Sequence, residues 1–370
     1  MSADRPPGGA RLPLGDLRAA RGGEPAGHVG VAMLGAGFIA EYHLAGLAAA
    51  GGAEVRVLVG RSRDRTQALA RRFAIPEVST DVDAVLARTD VQAVIVATPD
   101  DTHEAMAIAV ARAGKSILLQ KPMAGSVEAA DRIAAEAGAH GVDLQVSFMH
   151  RFFDEVVLAR RLLVENTIGR VLAARIRNAT PGPDWGDWFF RRASVANGVV
   201  DQLGVHGIDL VEQLLGPIRS VAAIARTALP RRRLRDGTIV DVENVDNATA
   251  IYELHDGTLV THEMSMTEQA GTDRFRLEIY GEKGTIALRT EHGRLAFAVP
   301  DRFGADWQVP QLADSPLGQR QHEAWLAGVT DASSRLATTA DALRGMRVVD
   351  ALMRSSARRG QAQPVETHSR

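Results

Sequence analysis

The chain has 370 residues, of which 45% are hydrophobic, and a formal net charge of −2. This near-neutral balance gives no electrostatic reason to expect nucleic acid or an anionic membrane as a partner, and no apolar run is long enough to span a bilayer. Cysteine is absent, which excludes disulfides, thiolate metal ligands and cysteine nucleophiles. The histidines lack the clustering of a metal site, so we expect no metal.

Residues 1–28 differ in composition from the rest of the chain. They are rich in Gly, Pro, Arg and Ala and show no apolar periodicity, so we expect a disordered N-terminal arm. The paired arginines and the apolar segment of an export signal are absent, and the predicted location is cytoplasmic.

The first predicted element is a buried strand that turns directly into a helix. A compact apolar run ends in Gly35, and a helix-compatible stretch begins at Phe38. The turn between them reads GxGxxA: Gly35 permits a tight turn, Gly37 leaves room for a pyrophosphate, and Ala40 allows close packing of helix on strand. The N–H groups at the helix start, around Phe38 and Ile39, would then face an anion. Such a turn alone is also a common structural feature.

Strands and helices continue to alternate with short links. The later strands are predicted at 54–59, 91–97, 116–119 and 144–148, and the helices at 38–50, 64–73, 101–113 and 127–139. This order predicts an α/β domain of the Rossmann type, a doubly wound parallel sheet, over residues 29–148. Its ligand should lie at the carboxyl ends of the strands.

The end of the second strand bears on the choice of cofactor. An acidic residue there would mark NAD, but the sequence has Gly60, Arg61 and Ser62. Glycine removes the repulsion of a 2′-phosphate, and the guanidinium and hydroxyl can bind that phosphate. We therefore predict NADP(H) over NAD(H). The alternative is that Arg61 is a solvated loop arginine.

Two further strand ends carry polar groups, in Ala97-Thr98-Pro99-Asp100-Asp101-Thr102-His103 and in Leu119-Gln120-Lys121-Pro122. They resemble the ATPNxxH and EKP motifs of the Gfo/Idh/MocA family, the group of glucose-fructose oxidoreductase and inositol 2-dehydrogenase. The resemblance extends over nearly all of residues 29–358. It implies that the cofactor is lined by Thr98, Pro99 and His103, that Gln120 bonds its ribose, and that Lys121 is the catalytic lysine beside the nicotinamide.

Physical chemistry agrees with that role for Lys121. A partly desolvated ammonium beside an oxidised nicotinamide is shifted toward its neutral form, so it can share a substrate hydroxyl proton near neutral pH. The alternative for a lysine after a strand is a solvated surface group.

The second half of the chain begins with Phe148-Met149-His150-Arg151-Phe152, which resembles the family's F-x-R-R-F segment. Only Arg151 is carried over, either as a substrate contact or as the anchor of an interdomain helix. A later stretch, from Trp188 to Asp209, resembles the pattern WFF…GGGxxxDxGxHxxD. The resemblance implies that Trp188 packs near the nicotinamide and that His206 meets the substrate hydroxyl and shares proton transfer with Lys121.

Gln202 departs from the family pattern, because counting back from His206 places the usual aspartate there. In an α-helix, Gln202, His206 and Asp209 share one face and are predicted to bind substrate, whereas Asp201 is turned away and looks like an N-cap. An amide cannot stabilise an imidazolium as a carboxylate does. Either Lys121 therefore carries most of the acid/base chemistry, or Asp209 supplies the missing charge.

Residues 149–360 are predicted to form an α+β domain for substrate binding and oligomerisation. Its strands, separated by turn signals such as Asp236-Gly237, predict a large, mostly antiparallel sheet, and residues 361–370 form a tail. In the resembled family the open face of such a sheet forms dimers or tetramers. Residues 231–235, four arginines and a leucine, are predicted to form a solvated loop, with anion binding as the alternative.

The function predicted from these patterns is hydride transfer between NADP(H) and a secondary alcohol or ketone of a sugar, cyclitol or related polyol. Two alternatives remain at this stage. One is a redox-neutral lyase or glycosidase that oxidises a sugar transiently with a tightly held cofactor. The other is a non-catalytic protein that senses NADP(H).

Overall fold

The computed structural model describes residues 28–270 and 274–366. The predicted N-terminal arm lies outside the described residues except for His28, and the predicted tail is described to residue 366.

The first half of the chain forms a six-stranded sheet in which every pair of neighbouring strands is parallel, as predicted. Its strands are β1 (Val29–Leu34), β2 (Ala53–Val59), β3 (Glu77–Ser79), β4 (Ala93–Val96), β5 (Ser116–Gln120) and β6 (Leu144–Ser147). Its helices are α1 (Phe38–Ala50), α2 (Arg63–Arg72), α3 (Val82–Leu86), α4 (His103–Arg112) and α5 (Val127–Ala139). The sequence analysis missed β3 and α3, because three and five residues are too few to show a periodic pattern.

The strand order is β3-β2-β1-β4-β5-β6, so the direction of winding reverses between β1 and β4. All six residues of β1 are buried, as expected of a central strand covered on both faces. Ligands of doubly wound sheets bind beyond the carboxyl ends of the strands where the order reverses. The glycine turn after β1 and the polar residues that follow β4 and β5 therefore meet at one edge.

The second half forms an eight-stranded sheet in the order β15-β14-β13-β7-β12-β11-β8-β16. Neighbours are antiparallel except β7 and β12, which confirms a mostly antiparallel sheet. The strands and helices of this half are α6 (Asp154–Val164), β7 (Val171–Ala179), α7 (Val205–Leu215), β8 (Ile218–Arg226), β9 (Arg231–Arg233), β10 (Ile239–Asp241), β11 (Asn247–Leu254), β12 (Leu259–Ser265), β13 (Phe275–Gly281), β14 (Thr285–Thr290), β15 (Gly293–Ala298), α8 (Pro300–Phe303), α9 (Gln319–Thr330), α10 (Thr338–Ala357) and β16 (Gln363–Pro364).

The prediction of a loop at residues 231–235 was wrong for its first three residues, whereas Arg231, Arg233 and Arg235 are exposed to solvent as predicted. Residues 231–233 form β9, which pairs antiparallel with β10. Arg232 donates to the carbonyl oxygens of Pro181 and Met266, and its guanidinium lies over the ring of Phe190. These tertiary contacts stabilise the hairpin against the segment before α7. They could not be predicted from a local sequence pattern.

Helix α9 returns from the second half of the chain to the first sheet. Trp325 of α9 is fully buried in the cluster that contains Met33 of β1. Helix α1 approaches α9 closely at Gly46, where an added Cβ would lie 2.4 Å from His322 Nδ1. The first sheet is therefore completed by a helix from the far end of the chain.

No helix within the described residues is both long enough and apolar enough to cross a bilayer.

Candidate active site

The glycine turn after β1 has the shape of a pyrophosphate cradle. Gly35 has φ +109°, and a Cβ there would lie 2.3 Å from the carbonyl oxygen of Ala97, so only glycine fits. A Cβ on Gly37 would meet nothing within 4 Å, because this side of the turn is open. Helix α1 starts at Phe38, next to Ile39, without a side-chain cap. Backbone N–H groups at this helix start fit the negative charge of a dinucleotide.

The residues predicted to select the cofactor follow β2 directly. Arg61 and Ser62 are exposed at the carboxyl end of that strand. Gly60 packs against Thr66, whose Oγ1 would lie 2.3 Å from an added Cβ. A bulky or acidic side chain at position 60 would therefore clash, and the neighbouring surface is open to the guanidinium of Arg61.

His103 contacts the two segments that follow β4 and β5. Its ring nitrogens face the carbonyl oxygens of Pro122, at 2.8 Å from Nδ1, and of Thr98, at 3.1 Å from Nε2. Burial lowers the pKa of His103 to about 4, so at neutral pH the ring is neutral and its single N–H donates to one of these two oxygens. Because the ring is fully buried, its contacts here hold the segments around Thr98, Pro99 and Lys121 in place.

Gln120, the last residue of β5, belongs to a buried hydrogen-bonded chain. Its Oε1 accepts from the backbone N–H of Lys121 at 2.7 Å, and its Nε2 lies 3.4 Å from His43 Nε2. His43 Nδ1 lies 3.0 Å from His322 Nε2, and His322 Nδ1 lies 2.7 Å from the carbonyl oxygen of Gly318. Because that oxygen can only accept, His322 Nδ1 carries the proton and His322 Nε2 accepts from His43 Nδ1. His43 Nε2 then accepts from Gln120 Nε2, so with two neutral rings every bond of the chain donates in the direction from Gln120 to Gly318.

Lys121 follows directly and points toward α7. Its Nζ donates to the backbone oxygen of Gln202 at 3.0 Å and lies 3.4 Å from Gln202 Oε1. Burial lowers the pKa of Lys121, and the carboxylates of Asp100 and Asp201 oppose that change. The amine is thus held by Gln202 in partly desolvated surroundings, with the negative charges of Asp100 and Asp201 acting on it, conditions that favour acid/base chemistry near neutral pH.

Asp100 is a site residue that the sequence analysis missed. Its Oδ2 accepts from Gln202 Nε2 at 2.6 Å. Burial raises the pKa of Asp100 to about 6, against the lowering effect of Lys121 and of the Gln202 hydrogen bond. A signal was present in the sequence, since Asp100 stands at the asparagine of the ATPNxxH motif.

The prediction that Asp201 caps a helix was wrong. Residues 200–204 form one π-helical turn that leads into α7, so Asp201 lies inside the helical segment. Its carboxylate accepts from the backbone N–H and the side-chain Nδ2 of Asn197, at 2.8 and 3.2 Å. Burial raises the pKa of Asp201 to about 7. The π turn adds a residue to the helical repeat, which brings Asp201 as well as Gln202 near Lys121.

His206 stacks on His150, with ring centroids 4.2 Å apart. Burial lowers the pKa of His206 well below its usual value, and the neighbouring His150 and the charge of Lys121 lower it further. The Nδ1 atoms of both rings are buried without a hydrogen-bond partner. Unpartnered nitrogens in a buried site are what a ligand that brings its own hydroxyl groups would satisfy.

Arg151 and Asp209, both predicted substrate contacts, bond each other. Arg151 Nε lies 3.0 and 2.8 Å from the two carboxylate oxygens of Asp209, and its Nη1 donates to Asp341 of α10 at 2.8 Å. Burial raises the pKa of Asp209 to about 6, against the lowering effect of Arg151. These contacts favour the anchoring interpretation of Arg151 and leave Asp209 committed to a guanidinium rather than to His206.

An aromatic segment, residues 185–190, lies beside the glycine turn. Trp188 stacks on Phe189, with centroids 3.6 Å apart, and Trp185 packs against Phe38 at 5.3 Å. Phe38 is 69% exposed, so its ring projects from the turn toward this segment. Trp185 was not singled out from the sequence, because nothing local indicates that it reaches α1.

Among the described residues, no three carboxylate or imidazole side chains converge on a point where they could hold a metal ion. The polar groups instead lie at the ends of β4 and β5 and at the start of α7, where Gln202 contacts both Lys121 and Asp100. The open side of Gly37 and the unpartnered imidazole nitrogens fit a dinucleotide and a hydroxylated substrate.

Comparison with known proteins agrees with this geometry. Residues 29–148 match the model of an oxidoreductase family with an NAD-binding Rossmann fold, and residues 156–287 match the GFO/IDH/MocA C-terminal domain. Inositol 2-dehydrogenase 2 of Saccharopolyspora erythraea is 30% identical over 343 residues, which cover 91% of this chain and 95% of the relative. Levoglucosan dehydrogenase of Pseudarthrobacter phenanthrenivorans is 26% identical over 304 residues, 73% of this chain and 77% of the relative.

A solved structure extends the likeness to three dimensions. GenD2 from gentamicin A biosynthesis, in complex with NAD, is 28% identical and superposes with a TM-score of 0.78, covering 94% of this chain and 99% of GenD2. Both halves of the chain, their order and their strand-end motifs thus match one group of proteins. The chain belongs to the Gfo/Idh/MocA family of NAD-binding oxidoreductases.

Proposed function

We propose that the protein transfers hydride between NADP(H) and a secondary alcohol or ketone carbon of a sugar, cyclitol or related polyol. The observation that carries the proposal is the position of Lys121 at the end of β5, where its Nζ donates to the backbone oxygen of Gln202 at 3.0 Å, in the turn that leads into the helix of His206. Support comes from the amine of the first half lying against the turn that leads into α7, the helix that carries His206 in the second half.

The roles of the side chains follow from their surroundings. When bound, the nicotinamide accepts or returns the hydride at its C4. Lys121 takes the hydroxyl proton as the alcohol carbon is oxidised and returns it in the reverse direction. His206 is neutral at neutral pH, so it bonds a substrate hydroxyl rather than carrying a charge. The proximity of both groups orients the reacting carbon toward the cofactor.

We propose a preference for NADP(H) at the adenosine end. Two features support it: the sequence has no carboxylate directly after β2, and Arg61 is exposed there. A charge-assisted bond to a 2′-phosphate contributes about 1.5–3 kcal/mol, or about a ten- to hundredfold preference. The relative GenD2 was solved with NAD, so both cofactors are compared in the test below.

Polyol substrates are supported by the relatives' names, which include inositol 2-dehydrogenase and levoglucosan dehydrogenase. The unpartnered imidazole nitrogens of His150 and His206 add support from this chain's own residues. Gln202 at the usual aspartate position changes the lining of the pocket, so the particular polyol is left to experiment.

The test is an assay of the purified protein with each of the four cofactor forms, NADP⁺, NAD⁺, NADPH and NADH. The substrates tested are inositols, anhydrosugars, aldoses and keto-sugars. We expect a change in absorbance of the reduced nicotinamide with at least one polyol, larger with NADP(H). A product formed without net change in that absorbance, from protein that copurifies with its cofactor, would favour the redox-neutral lyase instead. Cofactor binding without turnover of any compound would favour the sensor.

We also propose that the protein forms a homodimer or homotetramer through the open face of the eight-stranded sheet and works in the cytoplasm. Three apolar side chains of that face, Ile224, Ile251 and Leu259, are 51%, 49% and 53% exposed. Light scattering coupled to size exclusion tests the assembly, and Ile251→Asp is expected to shift it toward the monomer.

A further inference from the structure

At positions 100 and 202 this chain has a carboxylate and an amide in the reverse order to the family pattern. ATPNxxH has an amide where this chain has Asp100, and GGGxxxDxGxHxxD has a carboxylate where this chain has Gln202. The structure joins these two side chains directly, with Gln202 Nε2 2.6 Å from Asp100 Oδ2. In this chain one hydrogen bond therefore joins an amide and a carboxylate, and the charge lies at position 100 rather than at position 202.

Gln202 also contacts Lys121, so it connects the amine to Asp100. Lys121 Nζ lies 3.4 Å from Gln202 Oε1, and Nε2 of the same amide donates a hydrogen bond to Asp100. Because Oε1 can only accept and Nε2 can only donate, this arrangement has one direction. Charge on Asp100 then favours the amide orientation that presents Oε1 to the amine.

We propose that Asp100 is the residue that positions the Lys121 amine, acting through the Gln202 amide, and that this pair replaces the carboxylate missing at position 202. The proposal rests on the proposed role of Lys121 in proton transfer. Asp209 does not fill this role, because Arg151 engages both of its carboxylate oxygens.

Other ionisable groups among the described residues lie near Lys121 without a hydrogen-bond path to its amine, although the charge of Asp201 also opposes the lowering of the Lys121 pKa. Asp201 is 1% exposed and holds the backbone N–H and side chain of Asn197, so it stabilises the π turn. The imidazoles that feel the charge of Lys121, those of His103, His150 and His206, are neutral at neutral pH. Among these groups, Asp100 is the one joined to the amine through a directed hydrogen-bond path.

The first test titrates Lys121 without turnover. The sequence contains three lysines, Lys115, Lys121 and Lys283, so protein labelled with ¹³C at the lysine Cε has three resolvable signals, and Lys121→Arg assigns the one of interest. We expect Asp100→Asn to make Lys121 titrate at lower pH than in the wild type, because a facing negative charge is lost. Asp101→Asn, an exposed neighbour, is the matched control and should leave Lys121 unchanged.

The second test exchanges the pair without changing its size. Asp100→Asn with Gln202→Glu keeps the number of heavy atoms and moves the carboxylate back across the same hydrogen bond. We expect this double variant to return the Lys121 titration toward the wild-type value. Its kcat should recover from the loss of about tenfold or more that we expect for Asp100→Asn alone, a modest share of what general acid–base catalysis contributes. The KM for substrate should change little in Asp100→Asn.

Two results would overturn the proposal: a Lys121 titration that Asp100→Asn leaves at the wild-type pH, or a double variant no closer to the wild type than Asp100→Asn. Failure of the proposed function is a different result. It would appear as wild-type protein that turns over no polyol, while the titration, which needs no substrate, still measures the coupling between Asp100 and Lys121.

Discussion

His150 and His206 form a stacked pair of imidazoles, with ring centroids 4.2 Å apart and an angle of 21° between the ring planes. Both rings are uncharged at neutral pH, because burial lowers both pKa values. The ring of Phe275, which is fully buried, also stacks on His150, with centroids 5.2 Å apart. Two neutral imidazoles therefore lie together, and the cations of Arg289, Lys121 and Arg274 are close enough to lower the pKa of His150 further.

The His150 ring makes stability depend on pH. Burial lowers its pKa to about 3, below the unfolded value, so the stability that it contributes is present above about pH 6.5 and is lost as pH falls toward 3. For one such group, the free energy of unfolding falls by about 2 kcal/mol between pH 7.5 and pH 5. We expect the variant His150→Phe, which keeps an aromatic ring in the stack, to lack this contribution. Its free energy of unfolding, measured with urea, should therefore fall less between these pH values than that of the wild type. Equal losses in both proteins would contradict the burial of a neutral ring.

Replacing Lys121 by Met should abolish turnover and spare cofactor binding. We expect kcat to fall by about a thousandfold, within the range for loss of a general acid–base group, while the Kd for NADPH stays within about threefold. The exposed Lys283, replaced by Met, is the matched control. Stopped-flow rates and fluorescence titration measure the two quantities. A near-normal rate in Lys121→Met would refute the proposed role.

Arg61→Ala should weaken NADPH binding and leave NADH binding unchanged. The expected loss is about ten- to hundredfold for NADPH, the value of one charge-assisted bond. Arg71, at the far end of α2 and also exposed, provides the control variant Arg71→Ala. Fluorescence titrations with both cofactors measure the ratio. Equal losses for NADPH and NADH would show that Arg61 does not read the 2′-phosphate.

Gln120→Glu should destabilise the protein at neutral pH. The new oxygen would face His43 Nε2 where the amide now lies at 3.4 Å, and the chain through His322 to Gly318 leaves that nitrogen without a proton. Two facing acceptors cost about 1–3 kcal/mol of unfolding free energy. Protonation of the new carboxyl restores a donor, so the deficit should shrink as pH falls. Gln361→Glu, at an exposed position, is the control, and a deficit independent of pH would argue against the directed chain.

Gly46→Ala should separate α1 from α9. Its methyl group would lie 2.4 Å from His322 Nδ1 and 3.1 Å from the Gly318 backbone. We expect a loss of about 1–3 kcal/mol, as for other substitutions that overfill a packed core. Gly138→Ala, also on a helix but with nothing within 4 Å of the new Cβ, should be neutral or slightly stabilising. Thermal unfolding of the two variants compares them directly, and equal melting temperatures would show that α1 and α9 can move apart freely.

Much of the architecture could be predicted from the sequence, because its signals are local. Continuous apolar runs such as β4 indicate strands buried on both faces, and the short links between strands and helices impose parallel winding. The family, the Rossmann sheet and the mostly antiparallel second sheet are confirmed. The positions at which polar residues follow strands, at Thr98 and Lys121, are also visible in the sequence.

The tertiary structure alone decided which of these groups bond one another. Gln202 and Asp100 are 102 positions apart and Arg151 and Asp341 are 190 apart, so packing of whole elements sets both contacts. The π turn before α7 changes the helical phase by one residue, and a sequence pattern of period 3.6 cannot predict this change. Sequence periodicity reports which face of an element is buried, whereas the partner of a buried polar group depends on where another element happens to end.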